Sequence, residues 1–240
     1  MQQQLEAFFT HGDPPCDDSS AASSPSTLLN DTPSSILYVH GPAHAGQTSL
    51  LLQYGFTQAK RSKSVVLVLC GEDASTHRPT IVPIAPCLKC GVPMKTGGDN
   101  LVWSRIQIKY IRNSTELQHF LCSFHMLKEK SSVLLIDSFE RFFGSDRFLG
   151  NVYQTLAYLY ETLLFMQTST GCGQVVVTGA TDSFILQETQ RNWLRRWCSF
   201  LALIEAADDG AGEFLFYEET EDAESDDDDD SDKQKKVLLR

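Results

Sequence analysis

The apolar residues of this chain fall into two kinds of segment that alternate along the sequence. One kind is a short, nearly unbroken apolar run rich in β-branched residues, which is typical of a strand buried on both faces of a parallel sheet. The other kind is longer and repeats its apolar positions with a helical period. The runs begin at residues 36, 64, 132 and 174, and the helical segments lie at 48–58, 115–128, 152–167 and 182–196. This alternation predicts an α/β fold, a three-layer sandwich on a mainly parallel sheet.

Three further strands complete the predicted sheet. Residues 105–111 alternate apolar with polar side chains, which predicts a half-exposed strand with a basic outer face. Asn113 is followed three residues later by Glu116, a capping-box pattern that marks the start of the next helix. Residues 199–204 and 213–217 flank a turn and predict a closing hairpin.

The two ends of the chain differ in composition from its body. Residues 1–34 contain a long stretch rich in Ser, Pro, Asp and Thr, which predicts a disordered leader before a single folded domain at 35–218. The formal charge of −11 is concentrated at the other end, where residues 205–240 hold 15 acids and 4 bases. Residues 1–204 are balanced, with 16 of each. We therefore expect a neutral domain and a disordered acidic tail at 219–240.

The seven cysteines are scattered, and the start of the sequence lacks the pattern of a secretory signal. These features favour a reducing, intracellular compartment. No apolar run approaches the roughly 18 residues that would span a bilayer, so we expect no membrane role. Cys87 and Cys90 have the spacing of half a zinc site, but a closed site needs four ligands, and two ordinary thiols remain the alternative.

The first strand runs into a glycine-bounded loop that is typical of phosphate binding. Gly41 and Gly46 are separated by four residues and followed by Gln47, Thr48 and Ser49, which gives GxxxxGQTS where an intact motif reads GxxxxGK[ST]. Backbone amides at the helix start can hold phosphates, and a hydroxyl can reach Mg2+. The missing lysine removes the point charge on the terminal phosphate. The alternative is a Gly/Pro turn that binds nothing.

Two acids follow neighbouring strands of the predicted sheet. Asp137 ends a buried strand about 90 residues after the loop, where a phosphate-loop protein places the acid that holds Mg2+ through water. Glu72 ends the strand before it and is the candidate to orient an attacking water. The alternatives are a carboxylate that caps the next turn for Asp137 and a solvent-facing loop acid for Glu72.

This combination of loop, strand-end acids and closing hairpin resembles the RecA-type recombinases. The segments 36–52 and 105–143 also resemble the small recombinase paralogue that associates with a SWIM-type zinc-finger protein. The resemblance implies a P-loop, RecA-like fold and an ATPase stimulated by single-stranded DNA, with ATP and Mg2+ as cofactors. It further implies a nuclear role in homologous recombination DNA repair, with the SWIM-type protein and a recombinase or its paralogues as partners. Gly41, Gly46, Thr48 and Ser49 match the family's nucleotide loop, and Gln47 takes the position of its lysine in the predicted nucleotide site. Thr48 and Asp137 match the residues for Mg2+, and Glu72 and Asp137 those for catalysis.

Two departures from the family pattern bear on activity. Gln47 replaces the lysine, and the fourth run ends in Thr178-Gly179 where RecA-like proteins usually carry a glutamine near the terminal phosphate. Losing a charge that stabilises a transition state can cost several kcal/mol of barrier. We therefore expect weak or absent hydrolysis, and the chain's status as an enzyme stays open.

The helical segment after the Thr178 run carries the candidate DNA contacts. RecA-like proteins place a DNA-binding loop in this region, and here Arg191, Arg195 and Arg196 interleave with Trp193 and Trp197. Cations suit phosphates and flat rings suit unpaired bases, so the pattern favours single-stranded DNA. A solvated arginine face over two core tryptophans is the alternative.

Two other functions compete with that of a recombinase paralogue. One is a catalytically inactive interaction scaffold with a vestigial loop, which Gln47 and the acidic tail favour. The other is a small-molecule P-loop NTPase or kinase, which would carry an arginine-rich lid; only Arg141 and Arg147 lie near such a position.

Overall fold

The fold is described from a computed structural model of the chain. The residues described are 8–9, 35–43, 45–72, 87, 91, 99–144, 148–206, 214–219 and 237–239. The predicted tail, apart from Glu219 and the last strand, lies outside this set, as do Cys90 and Arg147.

The centre of the molecule is one eight-stranded sheet in the order β3-β2-β4-β5-β1-β6-β7-β8. The first six strands of this order are parallel, and β7 and β8 join antiparallel. The strands are β1 Ser35–Gly41, β2 Val65–Cys70, β3 Ile106–Ile111, β4 Val133–Ile136, β5 Gln174–Ala180, β6 Phe200–Ala206, β7 Phe214–Glu218 and β8 Val237–Leu239. The mainly parallel sheet and the closing hairpin of β6 and β7 are as the sequence predicts.

Helices cover both faces of this sheet and bury alternate residues of each central strand. The helices are α1 Gln47–Lys60, α2 Asn100–Trp103, α3 Ser114–Cys122, α4 Leu149–Thr170 and α5 Glu188–Trp197. One core packs α1 and α2 on one face, and a second core packs α3, α4 and α5 on the other. These three layers confirm the predicted sandwich. None of the helices in the described ranges is both long and apolar enough to cross a membrane.

Two predicted helices are shorter in the structure than their periodicity suggests. The segment predicted at 115–128 ends as an α-helix at Cys122, and a 3-10 turn over Phe124–Met126 follows it. The segment predicted at 182–196 is interrupted at Gln187, whose ψ of 151° is extended. The 3-10 turn before this residue buries Ile185 and Leu186, so core packing overrides helix continuity.

Short segments near both ends of the chain contact the folded domain. Phe8 and Phe9, inside the predicted leader, are buried. Phe8 stacks on Tyr54 of α1, and both phenylalanines contact Phe216 of β7. At the other end, β8 pairs with β7 inside the predicted tail. Residues far from the domain in sequence therefore belong to its core and sheet.

Candidate functional site

The predicted phosphate loop lies between β1 and α1, at the carboxyl edge of the parallel strands. Gly46 has a φ of 80°, a left-handed conformation that favours glycine, and no side chain caps the helix that follows. Leu50 N–H makes the first helical bond, to Gly46 O at 3.0 Å. The amides of Gln47 and Thr48 therefore precede the first helical bond, at the positive end of the α1 dipole. This is a geometry that suits an anion.

Asp137 lies next to this loop, directly after β4, and its carboxylate accepts hydrogen bonds from several hydroxyl groups. The residue is only 1% exposed. Thr48 Oγ1 lies 3.0 Å from Oδ1 and 3.1 Å from Oδ2. Thr178 Oγ1 donates to Oδ1 at 2.9 Å, and Ser138 Oγ is 3.3 Å from Oδ2. The structure thus brings together the loop hydroxyl and the strand-end acid that the sequence assigned to one site.

The donor chemistry of this pair fits Mg2+. A hydroxyl and a carboxylate are hard oxygen ligands, and Mg2+ is usually held by one or two such groups together with waters and substrate phosphates. Thr48 and Asp137 are the residues that would hold the ion. When bound, the ion supplies positive charge beside the phosphates. This charge is more important here because the loop lacks the charge of the lysine.

Gln47 does not extend from the loop as a free side chain. Its Nε2 donates to the carbonyl oxygen of Pro42 at 2.9 Å, and the same carbonyl accepts Ala45 N–H at 3.2 Å. The residue in the lysine position therefore braces the loop from within. An uncharged amide in this position cannot neutralise a terminal phosphate, whatever its orientation.

Glu72 lies at the same edge of the sheet, two residues beyond the end of β2, and is exposed. The Gly71 N–H before it donates to Ile111 O at 2.9 Å, which fixes the chain at this point. Arg112, which pairs with Glu116, has its pKa raised mainly by that pair and to a lesser extent by Glu72. The water-orienting role of Glu72 stays a prediction.

The predicted DNA contacts lie on α5 in different surroundings. Arg196 is exposed, Arg195 is half-buried, and Trp193 is 50% exposed with its ring 5.7 Å from that of Tyr153. Arg191 already has a partner within the protein, because its Nη1 lies 2.5 Å from Glu219 Oε1 in the segment after β7. DNA contact by these three arginines stays a prediction.

A second carboxyl group, which is half-buried, lies near Asp137. Glu140 follows β4 by four residues, and burial raises the pKa of its carboxyl group. Its Oε2 and the hydroxyl of the buried Tyr38 make no hydrogen bond within the described part of the chain. Both atoms face Gly179 of β5, where an added Cβ would collide with the Tyr38 hydroxyl and lie 3.0 Å from Glu140 Oε2.

Three residues at this sheet edge were not assigned roles from the sequence. Thr178 and Ser138 complete the hydroxyl set around Asp137, and Ser138 N–H donates to Thr178 Oγ1 at 2.9 Å. His40, immediately before the loop, is completely buried. A polar residue at the end of an apolar strand is the only sequence signal that these positions share.

Cys87 is the one member of the predicted zinc pair that lies within the described residues. Cys87 is a buried free thiol. Among the described residues no group of three or more histidine, cysteine or acidic side chains is arranged to hold a metal ion. Cys90 lies outside the described residues.

Comparison with known proteins rests on structure alone. No protein-family profile matches the sequence, and no curated protein does. Among solved structures, the flagellar accessory protein FlaH from Methanocaldococcus jannaschii aligns with a TM-score of 0.53 and 14% identity over 77% of each chain. A KaiC-like protein from Pyrococcus horikoshii aligns with a TM-score of 0.51 and 12% identity over 78% of each chain. The RadB recombinase aligns with a TM-score of 0.49 and 15% identity over 78% of this chain and 80% of its own. The strand order, the loop between β1 and α1 and the first two of these alignments together show that the chain has the RecA-like P-loop fold.

Proposed function

We propose that this chain is a RecA-like recombinase paralogue that works as a subunit in homologous recombination DNA repair. It binds ATP with Mg2+ and single-stranded DNA, and hydrolyses ATP weakly or not at all. It acts in the nucleus together with a SWIM-type zinc-finger protein and a recombinase or its paralogues. The partners and the compartment are supported by the sequence resemblance in segments 36–52 and 105–143.

Nucleotide binding is carried by one observation, the contact between the loop hydroxyl and the strand-end acid. Thr48 and Asp137 are 89 residues apart in sequence and meet at 3.0 Å. An acid that only capped the next turn would not need a hydroxyl on the helix of the phosphate loop. Thr178 adds a third side chain to the same point. These contacts support a nucleotide site over a turn that happens to contain glycines.

Weak hydrolysis follows from the same site. The amide of Gln47 is bonded to the loop's own carbonyl, and the Thr178 hydroxyl is bonded to Asp137. Neither group supplies a positive charge to the terminal phosphate as bonds to it break. Since such a charge can be worth several kcal/mol of barrier, binding can persist where turnover is slow.

Single-stranded DNA binding is supported by the exposed end of α5. Trp193 and Arg196 are both exposed on this helix, and an indole beside a guanidinium offers stacking and phosphate contact together. Arg195 is half-buried beside them. The excess of acids lies in residues 205–240, and residues 1–204 are balanced in charge, so the net charge of the chain does not argue against DNA.

Calorimetry with ATP and Mg2+ tests the nucleotide part. We expect Asp137→Asn, which keeps the volume but removes the charge, to weaken Mg2+-dependent binding at least about tenfold, or about 1.4 kcal/mol. Glu129→Ala is the matched control, because this exposed acid precedes β4 whereas Asp137 follows it. Equal binding by the natural chain and Asp137→Asn would contradict the assignment.

Fluorescence anisotropy with a labelled oligonucleotide tests the DNA part. Removing a cation that truly binds a phosphate should lower the salt dependence of the affinity by about one unit of slope. We expect this for Arg195→Gln and Arg196→Gln, and no change for Lys130→Gln, an exposed cation at the opposite end of the strands. If all three variants show the same salt dependence of DNA affinity as the natural chain, α5 is not the DNA surface.

A second function, that of a non-catalytic interaction scaffold, is favoured by the bond between Gln47 and Pro42. A loop braced from within no longer needs a ligand to be ordered. This function predicts no ATP binding by the natural chain together with intact capture of the SWIM-type partner. The calorimetry therefore separates the two functions before any repair assay is done.

A further inference from the structure

The strand that enters the phosphate loop carries a buried histidine to which the proposed function gives no role. His40 directly precedes Gly41 and is 0% exposed. It points to the same side of β1 as Tyr38, which packs in the core on the α5 face. A buried imidazole needs hydrogen-bond partners to offset its desolvation, and His40 finds them on two other elements.

The first partner is the residue that follows β5. His40 Nδ1 lies 3.2 Å from Thr181 Oγ1. The backbone N–H of the same threonine donates to Gly41 O at 3.0 Å. Thr181 is therefore held twice by the beginning of the phosphate loop, and it starts the segment that leads to α5.

The second partner links the loop to α5 itself. His40 Nε2 lies 3.2 Å from Glu219 Oε2, and the other oxygen of this carboxylate lies 2.5 Å from Arg191 Nη1. Arg191 Nε also donates to Leu186 O at 3.1 Å, and Glu219 N–H donates to Leu201 O at 2.9 Å. The hydrogen bond from His40 is the main cause that lowers the pKa of the Glu219 carboxyl group. The carboxylate is thus fixed between the histidine and the arginine.

The start of the loop is also closely packed against β6 and against Gln47. A Cβ built on Gly41 would lie 2.8 Å from Ile204 Cβ and 3.1 Å from Gln47 Nε2. In an interior packed this closely, a shift of the loop is transmitted to whatever is bonded to it.

We propose that His40 is a positioning residue that couples the phosphate loop to α5 through Thr181 and the Glu219–Arg191 pair. A ligand that fixes the loop thereby fixes the helix that carries the exposed arginine and tryptophan, and the effect is reciprocal. The inference rests on the proposed function for the identity of the two ligands. The mechanical link itself does not depend on either ligand.

The ligand test compares DNA affinity with and without ATP and Mg2+ in the full-length protein. We expect ATP to raise the affinity of the natural chain for a single-stranded oligonucleotide at least about fivefold. In His40→Gln, which can keep one of the two bonds but not both, we expect that ratio to fall to about one while each ligand still binds. His119→Gln, an exposed histidine on α3, is the matched control and should keep the full ratio.

The outcomes separate coupling from a merely structural role. A lower melting temperature with both affinities reduced and the ratio preserved would overturn the proposal, as would an unchanged ratio in a folded His40→Gln. A natural chain that binds both ligands without any coupling would overturn it too. If His40→Gln does not fold, Glu219→Gln serves instead, since it weakens the same link at a residue with 14% side-chain exposure. Its ratio should fall as well, and an unchanged ratio would again contradict the coupling.

Hydrogen exchange without ligands keeps the inference testable if the proposed function fails. We expect His40→Gln to speed amide exchange in Glu188–Trp197, and Glu219→Gln to speed it in the loop that follows β1. Exchange that rises only next to each substitution would show that the two elements are not linked. A natural chain that binds neither ATP nor DNA would refute the proposed function. The hydrogen-exchange comparison would still show whether the loop and α5 are linked, because it needs no ligand.

Discussion

At the carboxyl ends of the parallel strands, the two faces of the sheet carry different kinds of polar side chain. On the α1 face, the buried Asp137 is surrounded by hydroxyl groups that come from the first turn of α1, from β5 and from Ser138. On the α5 face, His40, Glu219 and Arg191 form a row of ionisable groups. Short hydroxyl groups around one carboxylate suit a site for a cation and its phosphate. A row of long side chains between distant segments suits a mechanical connection.

Two consecutive residues of β5 show how sharply the faces differ. Thr178 points to the α1 face and donates to Asp137 at 2.9 Å. Gly179 points to the α5 face, where the Tyr38 hydroxyl and Glu140 Oε2 occupy the space of a side chain. Position 178 requires a hydroxyl group that can donate to Asp137, and position 179 requires a residue without a Cβ.

The largest effect is expected at Gly179. The added methyl group of Gly179→Ala would collide with the hydroxyl of the fully buried Tyr38, so we expect a loss of about 3 kcal/mol in the free energy of unfolding. Urea denaturation followed by circular dichroism measures it.

Gly150→Ala is the matched control for that substitution. Its Cβ would lie closest to the ring of Phe148, which is 67% exposed rather than enclosed by the core. Because alanine is the better helix former, this variant should be neutral or more stable than the natural chain. Equal losses at both glycines would show that the α5 face is not tightly packed around Gly179.

A smaller loss is expected at Thr178. Thr178→Val keeps the shape but leaves Asp137 and Ser138 N–H each without one hydrogen bond, at a cost of about 1 to 3 kcal/mol in stability. We also expect weaker ATP binding by calorimetry. Thr178→Ser restores the hydroxyl and should recover both quantities. If valine is tolerated without change, the hydroxyl set around Asp137 has no structural role.

The smallest effect concerns acid stability on the α5 face. The hydrogen bond from His40, with a smaller effect of Arg191, lowers the pKa of Glu219. A carboxyl group with a lowered pKa stabilises the fold above its unfolded pKa of about 4.5, and this contribution disappears as the pH falls through the folded pKa. Since Arg191 is partly exposed, we expect no more than about 1 kcal/mol.

Urea midpoints measured between pH 6.5 and pH 3.5 test this contribution. Glu219→Gln should lose less stability than the natural chain over this range, because it has no proton to gain there. If the stability of both proteins changes equally with pH, the contact with His40 does not stabilise the ionised carboxylate of Glu219. Glu129→Gln, at an exposed position, should follow the natural chain.

The fold could be predicted from the sequence because burial on both faces leaves a clear record. Continuous apolar runs identified the central strands, and a strand-end acid at 137 could be placed beside the loop because parallel strands end at one edge. Phe8 and Phe9 could not be found in this way, since polar sequence flanks them and their partner Phe216 lies more than 200 residues away. The break at Gln187 was also missed, because periodicity does not record a single extended residue.

Within the site, the sequence identified which residues meet and not how they are bonded. Thr48 and Asp137 were foreseen as a pair, whereas the inward bond of Gln47 depends on a backbone carbonyl, which every residue has. His40 and Glu219 are 179 residues apart and belong to no motif, so only the folded chain shows their contact.

The most direct test of nucleotide binding without the lysine is the ratio of the dissociation constants for ADP and ATP, each measured with Mg2+. Backbone amides and the Thr48–Asp137 pair act on phosphates that both nucleotides share, so we expect the natural chain to bind the two within about threefold. In Gln47→Lys, the restored charge reaches the terminal phosphate and should favour ATP by about tenfold, or about 1.4 kcal/mol. A natural chain that binds neither nucleotide, or that prefers ATP as strongly as Gln47→Lys does, would contradict a phosphate loop that works without its lysine.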